Sequence, residues 1–273
     1  MHSLKNAGVL VTGAGRGIGK RLAVGFATAG ARVGLLARSK AELDLAALEI
    51  EHAGGIALRI RADVRDFEQI GAAVDRMRVQ FGGVQVLICA AAVQGPIGPL
   101  AETPVNTWTE TIETNVIGVM HACRAVLPGM IEQRAGKIIA LSGGGASSAR
   151  PNFSAYSASK AGLARLVETL ADEVRDHNIQ VNCMNPGGTY TSMTDEILRA
   201  GERAGWKEHE DAMNIRQTGG IPPDRQTQLA LFLASEQSNH ISGKLIHVND
   251  DWKRLKAENI HSEIYTLRRV QKV

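Results

Sequence analysis

Two side chains in this sequence are spaced for proton chemistry. Tyr156 and Lys160, in Tyr156-Ser157-Ala158-Ser159-Lys160, open the helix-like stretch AGLARLVETLADEVRD. Residues four apart lie one turn from each other on the same face of a helix. A free phenol has a pKa of about 10 and is a poor proton exchanger at neutral pH. A neighbouring ammonium favours the phenolate and draws that value towards the working range. The pair therefore reads as an acid/base with its tuning cation. Taken alone, Tyr-x-x-x-Lys is as readily an exposed helical pair, so its weight depends on its surroundings.

A second segment is suited to phosphate. The apolar run AGVLVT leads directly into Thr12-Gly13-Ala14-Gly15-Arg16-Gly17-Ile18-Gly19, and the helix-like KRLAVGFATAG follows. Glycines here permit backbone angles closed to other residues. They also let N–H groups approach a phosphate at the positive end of a helix. Strand before and helix after make Gly13, Gly17, Ile18 and Gly19 a dinucleotide cradle rather than a plain turn. A carboxylate at the end of the second strand would suit the ribose of NAD, whereas arginine suits the 2′-phosphate of NADP. That strand ends Leu36-Ala37-Arg38-Ser39. Arg38 and Arg16 offer several donors to a phosphate in fixed geometry, so NADP is expected and NAD less so.

Both segments need a scaffold, and the chain supplies one in alternation. The runs AGVLVT (7–12), ARVGLLA (31–37), GIALRIRA (55–62), VQVLICA (84–90), GKIIAL (136–141), NIQVNCM (178–184) and GKLIHV (243–248) read as strands. Several are nearly continuous in apolar residues, as strands covered on both faces should be. Amphipathic stretches lie between them, for example 41–53, with Leu43, Ala46, Ala47 and Ile50 on one stripe. Repeated strand–helix–strand units predict an α/β fold: one doubly wound domain over about 1–250, its parallel sheet flanked by helices. Two regions break the rhythm. Residues 193–221, polar and glycine-punctuated with a helical patch at 195–204, read as a mobile flap over the strand ends. Residues 251–273 form a charged tail whose Trp252, Ile264, Tyr265 and Leu267 suggest docking on this domain or a neighbouring subunit.

Bulk properties exclude other classes. The 273 residues, 44% hydrophobic and 22% charged, suit one soluble globular core. A net charge of +3 without a basic block gives no reason to expect a nucleic-acid partner. Cys89, Cys123 and Cys183 make neither a disulfide framework nor a zinc signature, and read as small buried residues of a reducing compartment. His209, His240 and His247 lack metal-ligand spacing, so no metal is expected. The start lacks a signal-peptide pattern, and no apolar run approaches the roughly 20 residues of a membrane helix. A cytoplasmic protein without membrane contact is the expectation.

In the order and spacing of these motifs, T-G-x-x-x-G-x-G followed by Y-x-x-x-K, residues 5–250 resemble the short-chain dehydrogenase/reductase family. The resemblance implies a single Rossmann-like domain with a seven-stranded parallel sheet, NAD(P) binding, and a homodimer or homotetramer packed through helix 155–175. It makes Tyr156 the proton donor in carbonyl reduction, or the base in alcohol oxidation. Lys160 would orient the nicotinamide ribose. Asn115 matches the helix asparagine that holds a water behind the lysine. Asp63 and Val64 match the pair beside the adenine. Pro186, Gly187 and Thr191 match the segment that places the nicotinamide.

Two departures from the pattern stand out. The family's serine, thirteen residues before the tyrosine, is Gly143 here; a lengthened glycine run would bring Ser142 into that role, with Ser147 and Ser148 as weaker candidates. The usual Asn-Asn-Ala-Gly after the fourth strand is Cys89-Ala90-Ala91-Ala92, where small residues such as Ala91 keep room for the cofactor. Losing the asparagines' bonds should alter stability rather than chemistry. The expected substrate wall is Gln94, Ser142, Phe153 and Tyr190, joined by Pro96, Arg150, Met193 and the flap. That mixture suits a medium-sized ketone or secondary alcohol, such as a 3-oxoacyl thioester or a sugar. A nucleotide-sensing protein without turnover, or a lyase or epimerase on the same scaffold, are the competing expectations.

Overall fold

The computed structural model describes residues 4–269. Residues 1–3 and 270–273, the outer ends of the expected domain and tail, lie outside the described residues. Each of the seven apolar runs forms a strand: β1 (Gly8–Thr12), β2 (Arg32–Ala37), β3 (Ile56–Arg61), β4 (Val86–Cys89), β5 (Gly136–Leu141), β6 (Ile179–Asn185) and β7 (Leu245–His247). They form one sheet in the order β3-β2-β1-β4-β5-β6-β7, with every pairing parallel.

Side-chain alternation along β1 explains why both faces need cover. Val9 and Val11 enter one apolar cluster, and Leu10 between them enters the other. Helices α1 (Gly17–Thr28) and α2 (Lys40–His52) lie on the first side, contributing Leu22, Phe26, Leu43 and Ile50. Helix α3 (Phe67–Phe81) lies on the second, contributing Ile70 and Met77. Two starts are set by local chemistry: Ser39 caps α2 by accepting from the Glu42 N–H at 3.3 Å, and Asp66 caps α3 by accepting from the Gln69 N–H at 3.1 Å.

The chain then runs through α4 (Val105–Ile112), a π-helical turn at Glu113–Ile117, and α5 (Gly118–Gln133). Helix α6 (Ser154–Glu173) follows β5, and its Leu163 and Val167 pack in the second cluster with Val126 of α5. Strand β1 has β2 on one side and β4 on the other. The crossovers leaving its two flanks go opposite ways, and an open crevice is left at the carboxyl ends of the strands.

The segment read as a flap forms two helices, α7 (Ser192–Ala200) and α8 (Trp206–Thr218), joined by a turn at Gly201–Ala204. They pack through a small cluster of Phe153, Tyr156, Ile197, Ala204 and Ala212. Helix α9 (Pro223–Ala234) returns to the first face of the sheet. Among the described residues no helix is long and apolar enough to cross a membrane.

After β7 the tail folds back on this same domain. Trp252, 6% exposed, meets the Phe232 ring with centroids 5.1 Å apart. Farther on, the Leu245 N–H donates to the Tyr265 carbonyl at 2.7 Å, and Lys244 Nζ donates to the Ile264 carbonyl at 3.0 Å. The outer edge of β7 is thereby partly paired with the tail, which blunts it as a template for another chain. Trp252→Ala should lower stability by about 3 kcal/mol, the usual scale for emptying a buried aromatic site. Urea unfolding followed by circular dichroism reads that loss, and an unchanged midpoint would contradict the packing role.

Candidate active site

The glycine turn leaves β1 at the point where the strand order reverses. A Cβ on Gly13 would stand 2.6 Å from the backbone of Ala91, and one on Gly19 would stand 2.3 Å from the Gly13 carbonyl oxygen. Turn, helix start and the end of β4 are thus in backbone contact, which only glycine allows. Gly17, with φ of +57°, has its Cβ direction open, nearest Thr191 at 3.7 Å. These residues border a cavity of about 860 Å³ that reaches the other end of the sheet's crevice. Its wall includes Gly13, Arg16, Gly17, Ile18, Gly19, Arg38, Asp63, Val64, Ala91, Pro186, Gly187 and Thr191, which with Tyr156 and Lys160 make up the set expected to hold a dinucleotide. A cradle without side chains, beside a helix start, fits a pyrophosphate.

Asp63 is oriented by Arg65, whose Nη2 donates at 2.7 Å, and this contact holds the carboxyl below its ordinary range. Val64 is pinned by α5, since a Cβ on Gly118 would meet its Cγ2 at 2.6 Å. Gly187 keeps its φ of +68° with its N–H on Asn185 Oδ1 at 3.1 Å. Thr191 begins α7 in a reciprocal capping arrangement with Thr194. One neighbour was not foreseen. Glu42 borders the same cavity, and its carboxylate lies 3.6 Å from Arg16 Nη1. The pattern Ser39-Lys40-Ala41-Glu42, a capping signature, carried the signal for that position.

At the opposite end, α6 presents Tyr156 and Lys160 to the cavity. Lys160 is 2% exposed; its Nζ donates to the Leu141 carbonyl at 2.8 Å and lies 5.4 Å from the centre of the Tyr156 ring. Burial brings the Lys160 amine down to about 8, since a charged amine loses solvation there. Burial also pushes the Tyr156 phenol up, and the cation that opposes this rise is Arg150, not the expected Lys160. The phenol is therefore a protonated donor at neutral pH.

Asn115 sits within the π-helical turn. Its Oδ1 accepts from the Val93 N–H at 2.9 Å, and its Nδ2 donates to the Val93 carbonyl and to Ser159 Oγ, both at 3.0 Å. Ser159 in turn donates to the Tyr156 carbonyl at 2.7 Å. Asn115 thus ties the segment after β4 to α6, a use in keeping with π-turns at functional sites.

Ser142, at the end of β5, is 3% exposed and borders the cavity, with no partner for its Oγ among the described residues. The backbone facing the phenol is that of the next residue: a Cβ on Gly143 would stand 2.7 Å from Tyr156 Oη. Gln94 also borders the cavity, 3% exposed, with its Nε2 unpartnered among the described residues.

Two expected wall residues stand elsewhere. Phe153 is fully buried, packed beneath the Arg150 guanidinium 3.9 Å from its ring centre, so it supports the wall from behind. The Tyr190 hydroxyl turns outward and donates to Asp195 Oδ1 at 2.9 Å. Neither they nor Pro96 border the cavity, whereas Arg150 and Met193 do. Both misplacements arise in irregular segments, where no helix or strand period fixes a side chain's direction. Helix α8 adds Lys207, Glu208, Asp211, Ala212 and Ile215, which no motif announced.

The sequence pattern of the short chain dehydrogenases matches residues 7–201. The chain belongs to the short-chain dehydrogenase/reductase family. It is 32% identical over 247 residues to the 3-oxoacyl-(acyl-carrier-protein) reductase FabG of Staphylococcus aureus, covering 88% of this chain and 95% of that protein. It is 33% identical over 250 residues to the oxidoreductase UcpA of Salmonella typhimurium, covering 89% and 93%. Among solved structures, NAD+-bound xylitol dehydrogenase superposes with a TM-score of 0.83 at 25% identity, over 89% of this chain and 98% of that one. Actinorhodin polyketide ketoreductase with NADPH gives 0.83 at 27% identity, over 91% and 97%. Membership makes this chain an NAD(P)-binding oxidoreductase with one Rossmann-like sheet.

In this family member the crowding at Gly19 is the sharpest test of the nucleotide end. Gly19→Ala drives a methyl against backbone and must open the turn, so affinity for NADPH should fall at least about tenfold. Titration of nicotinamide fluorescence reads the change, and wild-type affinity would refute the cradle.

Proposed function

We propose that the chain is an NADP-dependent oxidoreductase that interconverts a medium-sized ketone and its secondary alcohol, with Tyr156 as acid/base. The observation that carries this reading is the buried Tyr156–Lys160 pair on one wall of the cavity whose other end is the glycine cradle. A 3-oxoacyl-type ketone or a sugar is the favoured class, and FabG and the polyketide ketoreductase are the relatives that support it.

When bound, the nicotinamide supplies or accepts the hydride at the substrate carbon. The N–H groups of Gly17, Ile18 and Gly19 hold the pyrophosphate at the start of α1. Arg16 and Arg38 take the 2′-phosphate, Asp63 and Val64 the adenine, and Pro186, Gly187 and Thr191 the nicotinamide side. Lys160 holds the ribose hydroxyls. Tyr156 Oη gives its proton to the substrate oxygen in reduction and takes it back in oxidation. Ser142 is the nearest serine in sequence, but Gly143 is what faces the phenol, so donation by Ser142 to that same oxygen as negative charge builds there requires its enclosed hydroxyl to turn towards the cavity. Asn115 keeps α6 and the segment after β4 in register, and Gln94 offers an amide to the substrate. Glu42 favours a second reading, NAD, because a carboxylate at the ribose end accepts from a 2′-hydroxyl. The arginines outnumber it. By the family's habit, the enzyme works in the cytoplasm as a homodimer or homotetramer.

Tyr156→Phe should lower kcat for ketone reduction by about a hundredfold or more while nucleotide binding persists. Net consumption of NADPH also separates an oxidoreductase from a lyase or epimerase, which would return its cofactor unchanged. Binding of NADPH with no turnover on any ketone would instead establish the nucleotide sensor. The two arginines give a separate outcome: Arg16→Ala and Arg38→Ala should each raise KM for NADPH about tenfold and leave KM for NADH nearly unchanged. Equal effects on both nucleotides would favour NAD.

The pH dependence follows from burial. Below about 8 Lys160 keeps its charge, and the raised Tyr156 phenol keeps its proton. Reduction should therefore be level at neutral pH and decline as pH rises through about 8. A rate that climbs across that range would contradict the assignment.

A further inference from the structure

The wall opposite the glycine cradle holds an arginine that tunes Tyr156 by its charge but itself gives and takes no proton. Arg150 comes from the loop between β5 and α6, and its guanidinium lies 3.9 Å over the Phe153 ring and 5.5 Å from the Tyr156 ring centre. Stacking on a fully buried ring fixes the plane of the group without using its donors. Its Nε donates to Glu208 Oε1 at 2.9 Å and its Nη2 donates to Glu208 Oε2 at 2.7 Å. That is the two-pronged geometry in which arginine recognises a carboxylate. Nη1 has no hydrogen-bond partner among the described residues. Both side chains border the cavity, at 14% and 25% exposed, and Glu208 stands on α8, outside the sheet's own packing.

We propose that Arg150 selects substrates carrying a carboxylate a few bonds from the reacting carbonyl, with Glu208 as the internal carboxylate that occupies the fork between turnovers. The substrate class is then a short oxo acid and the corresponding hydroxy acid. This rests on the ketone–alcohol reading above and narrows it. Distance limits the chain length, because a group held on Arg150 and an oxygen held at Tyr156 Oη can be only a few carbons apart. Charge limits the class further. A neutral ketone meets Arg150 already neutralised by Glu208, whereas an oxo acid can replace Glu208 in kind or take the unpaired Nη1 edge. The wall alongside, with Met193, Ile197, Ala212 and Ile215, suits the hydrocarbon between the two polar ends.

Arg150 also faces Tyr156 electrostatically, so absolute rates in its variants are not diagnostic, and the preference between acid and ester is. The probes are 3-oxobutyrate and 4-oxopentanoate, each against its methyl ester. Calorimetry is performed on the full chain saturated with oxidised nicotinamide nucleotide, which cannot reduce a ketone. The wild-type protein should bind at least one acid about tenfold more tightly than its ester. Arg150→Gln should collapse that ratio towards one. Glu208→Gln, which frees the fork, should widen it several-fold. Equal binding of acid and ester, binding of neither, or a preference that survives Arg150→Gln overturns the proposal. Turnover measured in parallel keeps the two readings apart. Selective binding without reduction would refute the ketone–alcohol reading and leave Arg150 as a carboxylate site; reduction without selectivity would refute the carboxylate site alone.

Discussion

Strand β1 is the element on which the rest of the molecule depends. It pairs with β2 on one side and β4 on the other, and it ends where the chain must turn into α1. A parallel sheet requires a crossover for each pairing, and the crossovers on the two flanks of β1 diverge. The space between them cannot be filled by a connecting segment. It is closed at the bottom by backbone alone, Gly13 against Ala91 and Gly19 against Gly13. A cavity lined with N–H groups at a helix start follows from topology, before any catalytic side chain is considered. Replacement of the family's asparagines by Cys89-Ala90-Ala91-Ala92 leaves this closure intact, because the contacts there are made by backbone. The Ala91 N–H still finds Thr12 Oγ1 at 3.3 Å, and Asn115 braces Val93 just beyond.

The proposed catalytic pair, Tyr156 and Lys160, obeys a second constraint, the cost of burying two titratable groups together. Burial raises the phenol and lowers the amine, so it favours the neutral form of both. The Leu141 carbonyl offsets part of this for the ammonium by accepting its proton at 2.8 Å. For the phenol the compensating charge is Arg150, itself engaged by Glu208. The proton affinity of Tyr156 is thus coupled to a residue on α8, more than fifty residues away in sequence. Motif reading assigns that tuning to the neighbouring lysine because the lysine is local. The structure adds a non-local charge, Arg150, 5.5 Å from the centre of the ring.

What could be read from the chain was what regular elements fix. Apolar runs located all seven strands; β1 and β4, buried at every position, read as continuous runs, whereas β3 interleaves Arg59 and Arg61 and is exposed at both ends. The spacing of Tyr156 and Lys160 put both on one face of α6, and the glycine turn put its residues on the cavity. Legibility ended where the backbone stopped being periodic. Phe153 and Tyr190 lie in irregular segments, next to Asn152 with φ of 69° and just before the capping turn of α7, where one dihedral decides between cavity and core. The stretch 193–221 looked like loop because α8 is polar with few buried residues. Its partner Arg150 is distant in sequence, so their ion pair had no local signature. Glu42 is the opposite case, a carboxylate whose place was spelled out by Ser39 three residues earlier.

The contacts of α7 and α8 show why that flap matters to chemistry. They share no large apolar face with the sheet; their buried partners are Phe153 and Tyr156 themselves. Around this small cluster Ile97, Met193, Leu198 and Ala200 add apolar contact, and the polar ties include Arg150 with Glu208 and Arg203 Nη1 on Glu102 Oε2 at 2.9 Å. The exposed Arg203–Glu102 pair contributes little, about 1 kcal/mol or less, whereas Arg150 and Glu208 are largely shielded, at 14% and 25% exposed. The two helices are thus tied to the rest of the domain by this cluster and a few polar links. Yet the residue they pack upon is Tyr156, the proposed proton donor. Any movement that opens the cavity along α7 and α8 must therefore also unpack the Tyr156 ring and loosen Arg150 from Glu208. Access for substrate and readiness of the acid are governed by the same packing unit.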